Sequence, residues 1–183
     1  MTSNTSVEIK WEGKYITVRQ QGTWEYVSRS RGIRAAVILA IDESAKGGPH
    51  LILVEQYRVP LGRQSLELPA GLVGDADSPA GEEASMAAIR ELEEETGYRA
   101  EKMVDLGDYY SSPGMVSESF SLFRAMGLTR VHDGGGVEGE NIIVHRVPVD
   151  EIADYVAARR AQGMAIDVKL LIALGAAMMA PPE

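Results

Sequence analysis

Arg90-Glu91-Leu92-Glu93-Glu94-Glu95-Thr96-Gly97-Tyr98 packs four carboxylates into less than two turns of a helix. In that conformation Glu91, Glu94 and Glu95 stand at i, i+3 and i+4 and share one face. Each like-charged pair at that spacing costs a few tenths of a kcal/mol, a cost that a cation lying on the face reverses. The face offers only oxygen, which suits a hard ion such as Mg2+ or Mn2+ and suits Zn2+ poorly. These residues point to metal-assisted chemistry on a phosphate ester.

Outward from this stretch, Leu66-Glu67-Leu68-Pro69-Ala70-Gly71-Leu72 is a short apolar run broken by Pro and Gly. Ser78-Pro79 reads as an N-cap with Pro at the first helical position, and Gly97 reads as the helix stop. Met86, Ile89 and Leu92 are expected on the core-facing side. The order is therefore strand, Gly turn, loop, helix and stop, with the carboxylates on the polar side of a packed helix.

Gly71, Glu82, Arg90, Glu91, Leu92, Glu94, Glu95, Gly97 and Tyr98 resemble, in order, the box of the Nudix hydrolase family. Ten residues separate Gly71 from Glu82 where the family pattern has five, so the segment Gly74 to Pro79 reads as holding a surface-loop insertion, which chain entropy tolerates cheaply. The departure puts the role of Glu82 in doubt and leaves Glu91 and Glu95 untouched.

The whole chain constrains the reading further. At 183 residues and 45% hydrophobic content it can bury one good core. The absence of Cys excludes thiol catalysis and Cys-based zinc sites. The polar N-terminus shows no secretory signal, and Leu170 to Ala180 is too short to span a bilayer, so a cytoplasmic protein without a membrane partner is expected. A net charge of -9 disfavours nucleic acid. It is also the wrong sign for a pyrophosphate substrate, so metal ions and local Arg must compensate.

Two strands are expected over residues 7–20 and 23–29, then a strand buried on both faces from Ala35 to Ile41, and another from Leu51 to Tyr57. Strands from Lys102 to Tyr110, Ser119 to Met126 and Asn141 to Val147 follow the carboxylate helix, and helices from Asp150 to Gln162 and Val168 to Met179 close the chain. The fold expected is α/β, an α/β/α sandwich with a mixed sheet, as the Nudix resemblance also implies. Residues 1–32 are expected as an N-terminal β extension and 33–183 as the catalytic domain.

Residues outside the box resemble the ADP-ribose pyrophosphatases of that family. Glu55-Gln56-Tyr57-Arg58 with Pro60 and Gly62 implies that Arg58 clamps a phosphate, for which a guanidinium fork is suited. Trp24-Glu25-Tyr26-Val27-Ser28-Arg29 implies Trp24 as a stacking platform for adenine, with Tyr15 a candidate second and Arg29 reaching a phosphate. The same resemblance implies a homodimer whose N-terminal strands complete each other's sites. Ser111 to Met115 with Ser117 and Glu118 resembles the loop that shapes the terminal-ribose pocket, which makes Met115 and Glu118 candidate substrate contacts.

Gly134 to Ile142 is a Gly-rich acidic loop and no P-loop, since it lacks Gly-Lys-Ser/Thr. The resemblance makes it a lid carrying a general base or further metal ligand, with Glu140 the better match and Glu138 the second. The expected function is Mg2+-dependent hydrolysis of ADP-ribose to AMP and ribose 5-phosphate, with Mn2+ able to substitute. Glu91 and Glu95, assisted by Glu94 and the Ala70 carbonyl, would hold the metal, and Arg90 would position a box Glu. Another nucleotide sugar such as ADP-glucose or GDP-mannose, or a non-catalytic nucleotide-sensing module, stands as the alternative.

Overall fold

A computed structural model describes residues 6–30, 33–74, 82–137 and 139–175. The chain opens with β1 (Glu8–Glu12), β2 (Ile16–Gln21) and β3 (Trp24–Arg29), which form a three-stranded antiparallel sheet of their own. Three strands stand where two were expected. A turn at Gly13, whose N–H donates to the Ile16 carbonyl, divides the first expected strand. The turn between β2 and β3 is Gly22-Thr23, because Gln21 still belongs to β2 and pairs with Trp24.

The main sheet is built from β4 (Arg34–Asp42), β5 (His50–Arg58), β6 (Arg63–Glu67), β7 (Ala70–Val73), β9 (Lys102–Tyr110), β10 (Ser119–Met126), β12 (Ile143–Pro148) and β13 (Ala165–Ile166). The pair β8 (Tyr98–Arg99) and β11 (Thr129–Arg130) lies apart from it. β4 runs parallel to β10 and antiparallel to β7, so the sheet is mixed.

The continuous apolar run of β4 has the meaning its composition suggests. Val37, Leu39 and Ile41 face one hydrophobic cluster while Ala36, Ile38 and Ala40 face another, the period-2 alternation of a strand covered on both sides. On the first side lie α2 (Ile152–Ala161) and α3 (Leu170–Ala173), through Ile152, Val156, Leu170 and Ala173. On the second lies α1 (Ala84–Thr96), through Ala88 and Leu92. This is an α/β/α sandwich. None of its helices, among the described residues, is long and apolar enough to cross a membrane.

Two details of α1 differ from expectation. The helix begins at Ala84 with Glu83 as N-cap, and Ser78 and Pro79 lie outside the described residues. Met86 is 57% exposed and Ile89 only half-buried and outside both core clusters, whereas Ala87, Ala88 and Leu92 are fully buried. The sheet accepts small side chains at this end of the helix, and the large thioether points to solvent.

The segment joining β6 to β7 positions the site. β6 pairs with β5, and after Leu68-Pro69 the chain crosses over to pair as β7 with β4. The Pro69 carbonyl accepts the Ile38 N–H at 2.8 Å, so the crossover is held at its centre. It lays Ala70 and Gly71 directly beside α1.

Candidate active site

Two contacts of strand β7 with helix α1 shape the site. The backbone N–H of Ala70 donates to Glu95 Oε2 at 3.0 Å. One turn earlier the Glu91 side chain lies against Gly71, where a Cβ would overlap its Cγ, Cδ and Oε1. Gly71 is thus required by the close approach of a carboxylate side chain.

Arg90 gathers the remaining acids of the helix. Its Nη1 donates to Glu91 Oε1 at 2.9 Å and Glu94 Oε2 at 3.1 Å, while Nε and Nη2 donate to Glu82 at 3.2 and 3.3 Å. Glu82, whose role the lengthened loop put in doubt, therefore reaches the cluster as a partner of Arg90. The Arg90 pKa is raised, first by the Glu82 hydrogen bond, with burial opposing and Glu91 adding to the effect.

Glu95 is 4% exposed, and its carboxyl is pushed up to about 8. Burial is the main cause. The Ala70 N–H opposes it, the charges of Glu91 and Glu140 add to it, and Arg58 weakly opposes it. This is a buried acid surrounded by more acids, the electrostatic setting in which a bound cation is most favourable.

The glycine loop is anchored to the same helix. Gly97 takes φ +73° as the α1 C-cap, and the N–H groups of Gly135 and Gly136 donate to the Glu95 and Glu94 carbonyls at 2.9 and 3.0 Å. These bonds satisfy carbonyls that a helix end otherwise leaves without partners. Gly134, at φ +73°, has backbone atoms of Glu95 and Thr96 where a Cβ would go. Gly134 to Gly136, the glycines of the expected lid, are docked here as a cap on the end of α1. Beyond them, Glu140 is exposed and its Oε2 accepts the Val137 N–H at 2.9 Å. Glu138 lies outside the described residues.

A cleft of about 810 Å3 opens beside these groups, lined by Glu91, Glu95 and Glu140 on the helix side. Across it Arg58 forms a two-bond fork on Glu67, at 2.7 and 2.8 Å, and Arg29 donates to Glu118 at 2.8 Å. The structure thus brings Arg29, Arg58, Glu118 and Ala70 into one cleft with the helix carboxylates. It does not bring Glu94, Met115, Tyr15 or Trp24 to that lining within a single chain. Tyr15 and Trp24 are 64% and 65% exposed, and Met115, 65% exposed, gives its carbonyl to the Val27 N–H instead.

Sequence reasoning did not pick out Glu67, Gln56, Asp167 or Lys169, which also line the cleft. Glu67 carried a signal in its position inside the Leu66 to Leu72 run. Asp167 and Lys169 carried none.

Among the described residues no three His, Cys, Asp or Glu side chains stand ready as a cage for an ion. The chemistry nevertheless fits a hard divalent cation, because Glu91, Glu95 and Glu140 supply oxygen alone and Glu95 is a buried acid short of positive charge. Glu91 would exchange part of its Arg90 contact for the ion.

A NUDIX domain model matches residues 31–165. The chain is 35% identical over 127 residues to the methanol dehydrogenase activator of Bacillus methanolicus, covering 69% of this chain and 64% of that protein. It is 35% identical over 126 residues to the ADP-ribose pyrophosphatase of Bacillus subtilis (strain 168), covering 68% and 63%. In both cases the match spans just under two thirds of the relative's length. A solved ADP compounds hydrolase shares the fold, with a TM-score of 0.62 at 24% identity over 83% of this chain and 80% of that one. Because residues 31–165 take in the β4–β10 pair, the carboxylate helix and the glycine loop, the chain belongs to the NUDIX domain family.

Proposed function

We propose that this chain adds water across the pyrophosphate of ADP-ribose, releasing AMP and ribose 5-phosphate, with Mg2+ as cofactor and Mn2+ as a substitute. The observation that carries the reading is the charge layout of the cleft. Its lining holds Arg29, Arg58 and Lys169 against Glu67, Glu91, Glu95, Glu118, Glu140 and Asp167, a formal excess of three negative charges. A pyrophosphate diester brings negative charge of its own, so it is accommodated only with divalent ions.

When bound, such ions neutralise the pyrophosphate and make a coordinated water acidic. Glu91 and Glu95, with the Ala70 carbonyl, are the groups that would hold them, and Arg90 fixes the direction of Glu91 and Glu94. Glu140 orients the attacking water and takes its proton, on a stretch of loop that leaves it exposed to the cleft. Arg58, already held straight by Glu67, and Arg29 bind the phosphate oxygens and keep the leaving group in line. The similarity to the B. subtilis ADP-ribose pyrophosphatase supports this substrate.

The stacking platforms require two chains. Ile16 pairs with Arg29 while Gln21 pairs with Trp24, so Tyr15 and Trp24 lie at opposite ends of the β2–β3 hairpin. At about 3.3 Å per residue they are too far apart to sandwich one base. The N-terminal sheet also exposes Ile9, Trp11 and Ile16, an apolar surface of the kind that a partner covers. A homodimer that docks this sheet on a second copy would offer Tyr15 of one protomer and Trp24 of the other to one base. Sedimentation velocity tests this, and a monomer at micromolar concentration would remove the shared site.

Product analysis with ADP-ribose, ADP-glucose and GDP-mannose, with Mg2+ and with chelator, tests the substrate. Chelator-sensitive AMP and ribose 5-phosphate ahead of the other products is the expected result. Preference for another donor keeps the chemistry and changes the substrate, and binding without turnover leaves a sensing module.

A further inference from the structure

We propose that a second pocket, formed around Arg19 and Ser28 beside the main cleft, binds a phosphoryl group. This cavity of about 220 Å3 lies where β2 and β3 meet the start of β4 and the approach to β10. Arg19, Arg29 and Arg34 line it together with Ser28, Ser117 and Ser119. Glu118 is the acidic residue of the lining, which leaves a formal excess of two positive charges in a chain whose net charge is -9. That local sign is opposite to the main cleft and matches a phosphate monoester dianion.

Two buried donors without partners among the described residues are a second, independent reason. Arg29 is engaged by Glu118 and Arg34 by Asp108, but the Arg19 Nε and the Ser28 Oγ are buried with no partner among the described residues. Ser28 is 8% exposed. In the β2–β3 ladder Thr17 pairs with Ser28 and Arg19 with Tyr26, so Thr17, Arg19 and Ser28 share one face. Thr17 finds the Ser30 hydroxyl at 3.1 Å, whereas the Arg19 Nε and the Ser28 Oγ find no partner among the described residues. Buried donors left without a partner are costly, and both residues line one cavity.

Guanidinium groups and hydroxyls converging from β2, β3, β4 and the approach to β10 suit an oxyanion with several acceptor oxygens. The cavity repels a cation and offers little apolar wall beyond Ile33. Arg29 and Glu118 line both this pocket and the main cleft, so their ion pair is the partition between the two. The phosphoryl group has two sources that share this chemistry: free phosphate, or a monoester on a nucleotide lying in the cleft. Binding here requires no turnover and stands or falls apart from the substrate proposed above.

The test is calorimetric titration of inorganic phosphate into the full chain with chelator present. Saturable binding is expected, weakened about tenfold or more in Arg19→Gln, weakened less in Ser28→Ala, and retained in Arg58→Ala. Ser28→Ala removes a hydroxyl that has no partner, so it keeps the test decisive if Arg19→Gln does not fold. Lack of saturable binding to the parent chain, or binding lost in Arg58→Ala and kept in Arg19→Gln and Ser28→Ala, overturns the proposal. Adenosine 2',5'-bisphosphate and AMP separate the sources. A tighter bisphosphate, with the advantage lost in Arg19→Gln, identifies the monoester. Equal affinities, with AMP and phosphate bound together, identify free phosphate.

Discussion

Gly71 has no room for a Cβ because the side chain of Glu91 lies directly against it. The contact joins β7 to α1, and it sets where the Glu91 carboxylate points. Gly71→Ala is therefore expected to displace Glu91 more than it unfolds the chain, since the obstructing atoms belong to a side chain that can swing away. A misplacement of about 1 Å in such a group can cost about a hundredfold in rate. The expected outcome is a loss of that order in Mg2+-dependent turnover, with a thermal midpoint within a few degrees of the parent. A normal rate would show that this contact does not set the metal site.

Glu95→Gln removes a charge and keeps the shape. Turnover is expected to fall by more than about a hundredfold if Glu95 is the metal ligand proposed above. Stability in chelator should move the other way. The folded carboxyl titrates at about 8 against an ordinary 4.5, so between those values the folded state holds a proton that the unfolded state has released. Stability of the metal-free parent then falls as pH rises through that window. The Gln variant lacks this slope and should be the more stable of the two at pH 8 in urea titrations. Mg2+ competes with the same proton, so its affinity should rise over the same range.

The Arg58 fork on Glu67 gives a prediction of opposite sign. Burial alone would raise the Glu67 pKa, but the Arg58 hydrogen bonds and charge, with help from Ser65, hold it below 4.5. Its stabilisation is present above that value and is lost as pH falls below it. Arg58→Ala leaves a carboxylate 5% exposed without its partner. Because Arg58 is itself partly exposed, the expected cost at pH 7 is about 2 kcal/mol, less than for a fully buried pair. The cost should shrink toward pH 4 as Glu67 takes up a proton, which denaturant titration at the two pH values measures.

Gly134→Ala tests the cap on the carboxylate helix α1. The residue combines φ +73° with backbone of Glu95 and Thr96 where a methyl would go. The expected cost is about 1–3 kcal/mol, accompanied by reduced turnover as Glu140 moves with the loop. Gly139→Ala is the control: it has φ +98° with open space around it, so it carries the strain without the clash. Equal effects of the two substitutions would mean that docking of the loop adds nothing.

Much of this molecule was legible from one-dimensional pattern. The strands Lys102–Tyr110 and Ser119–Met126 lie where their composition puts them, and β4 is buried on both faces as its apolar run requires. Periodicity failed where a neighbour rather than the element itself decides the outcome. Met86 lies on the expected helical stripe, but the sheet opposite it takes Ala87 and Ala88 instead. The glycines at 134 to 136 read as a lid, and nothing in the pattern showed that the N–H groups of Gly135 and Gly136 close the end of α1.

Helix geometry alone puts Glu91, Glu94 and Glu95 on one face, because spacing along a single element is set by covalent geometry and the 3.6-residue turn. Spacing could not show that Arg58 would fork onto Glu67, that Glu91 would press on Gly71, or that Arg19 and Ser28 would face a cavity without partners. Each of those contacts joins residues of different strands or helices. Pairing of neighbouring strands brings Arg58 to Glu67 and Arg19 to Ser28, and the crossover at Pro69, which lays β7 beside α1, brings Gly71 to Glu91.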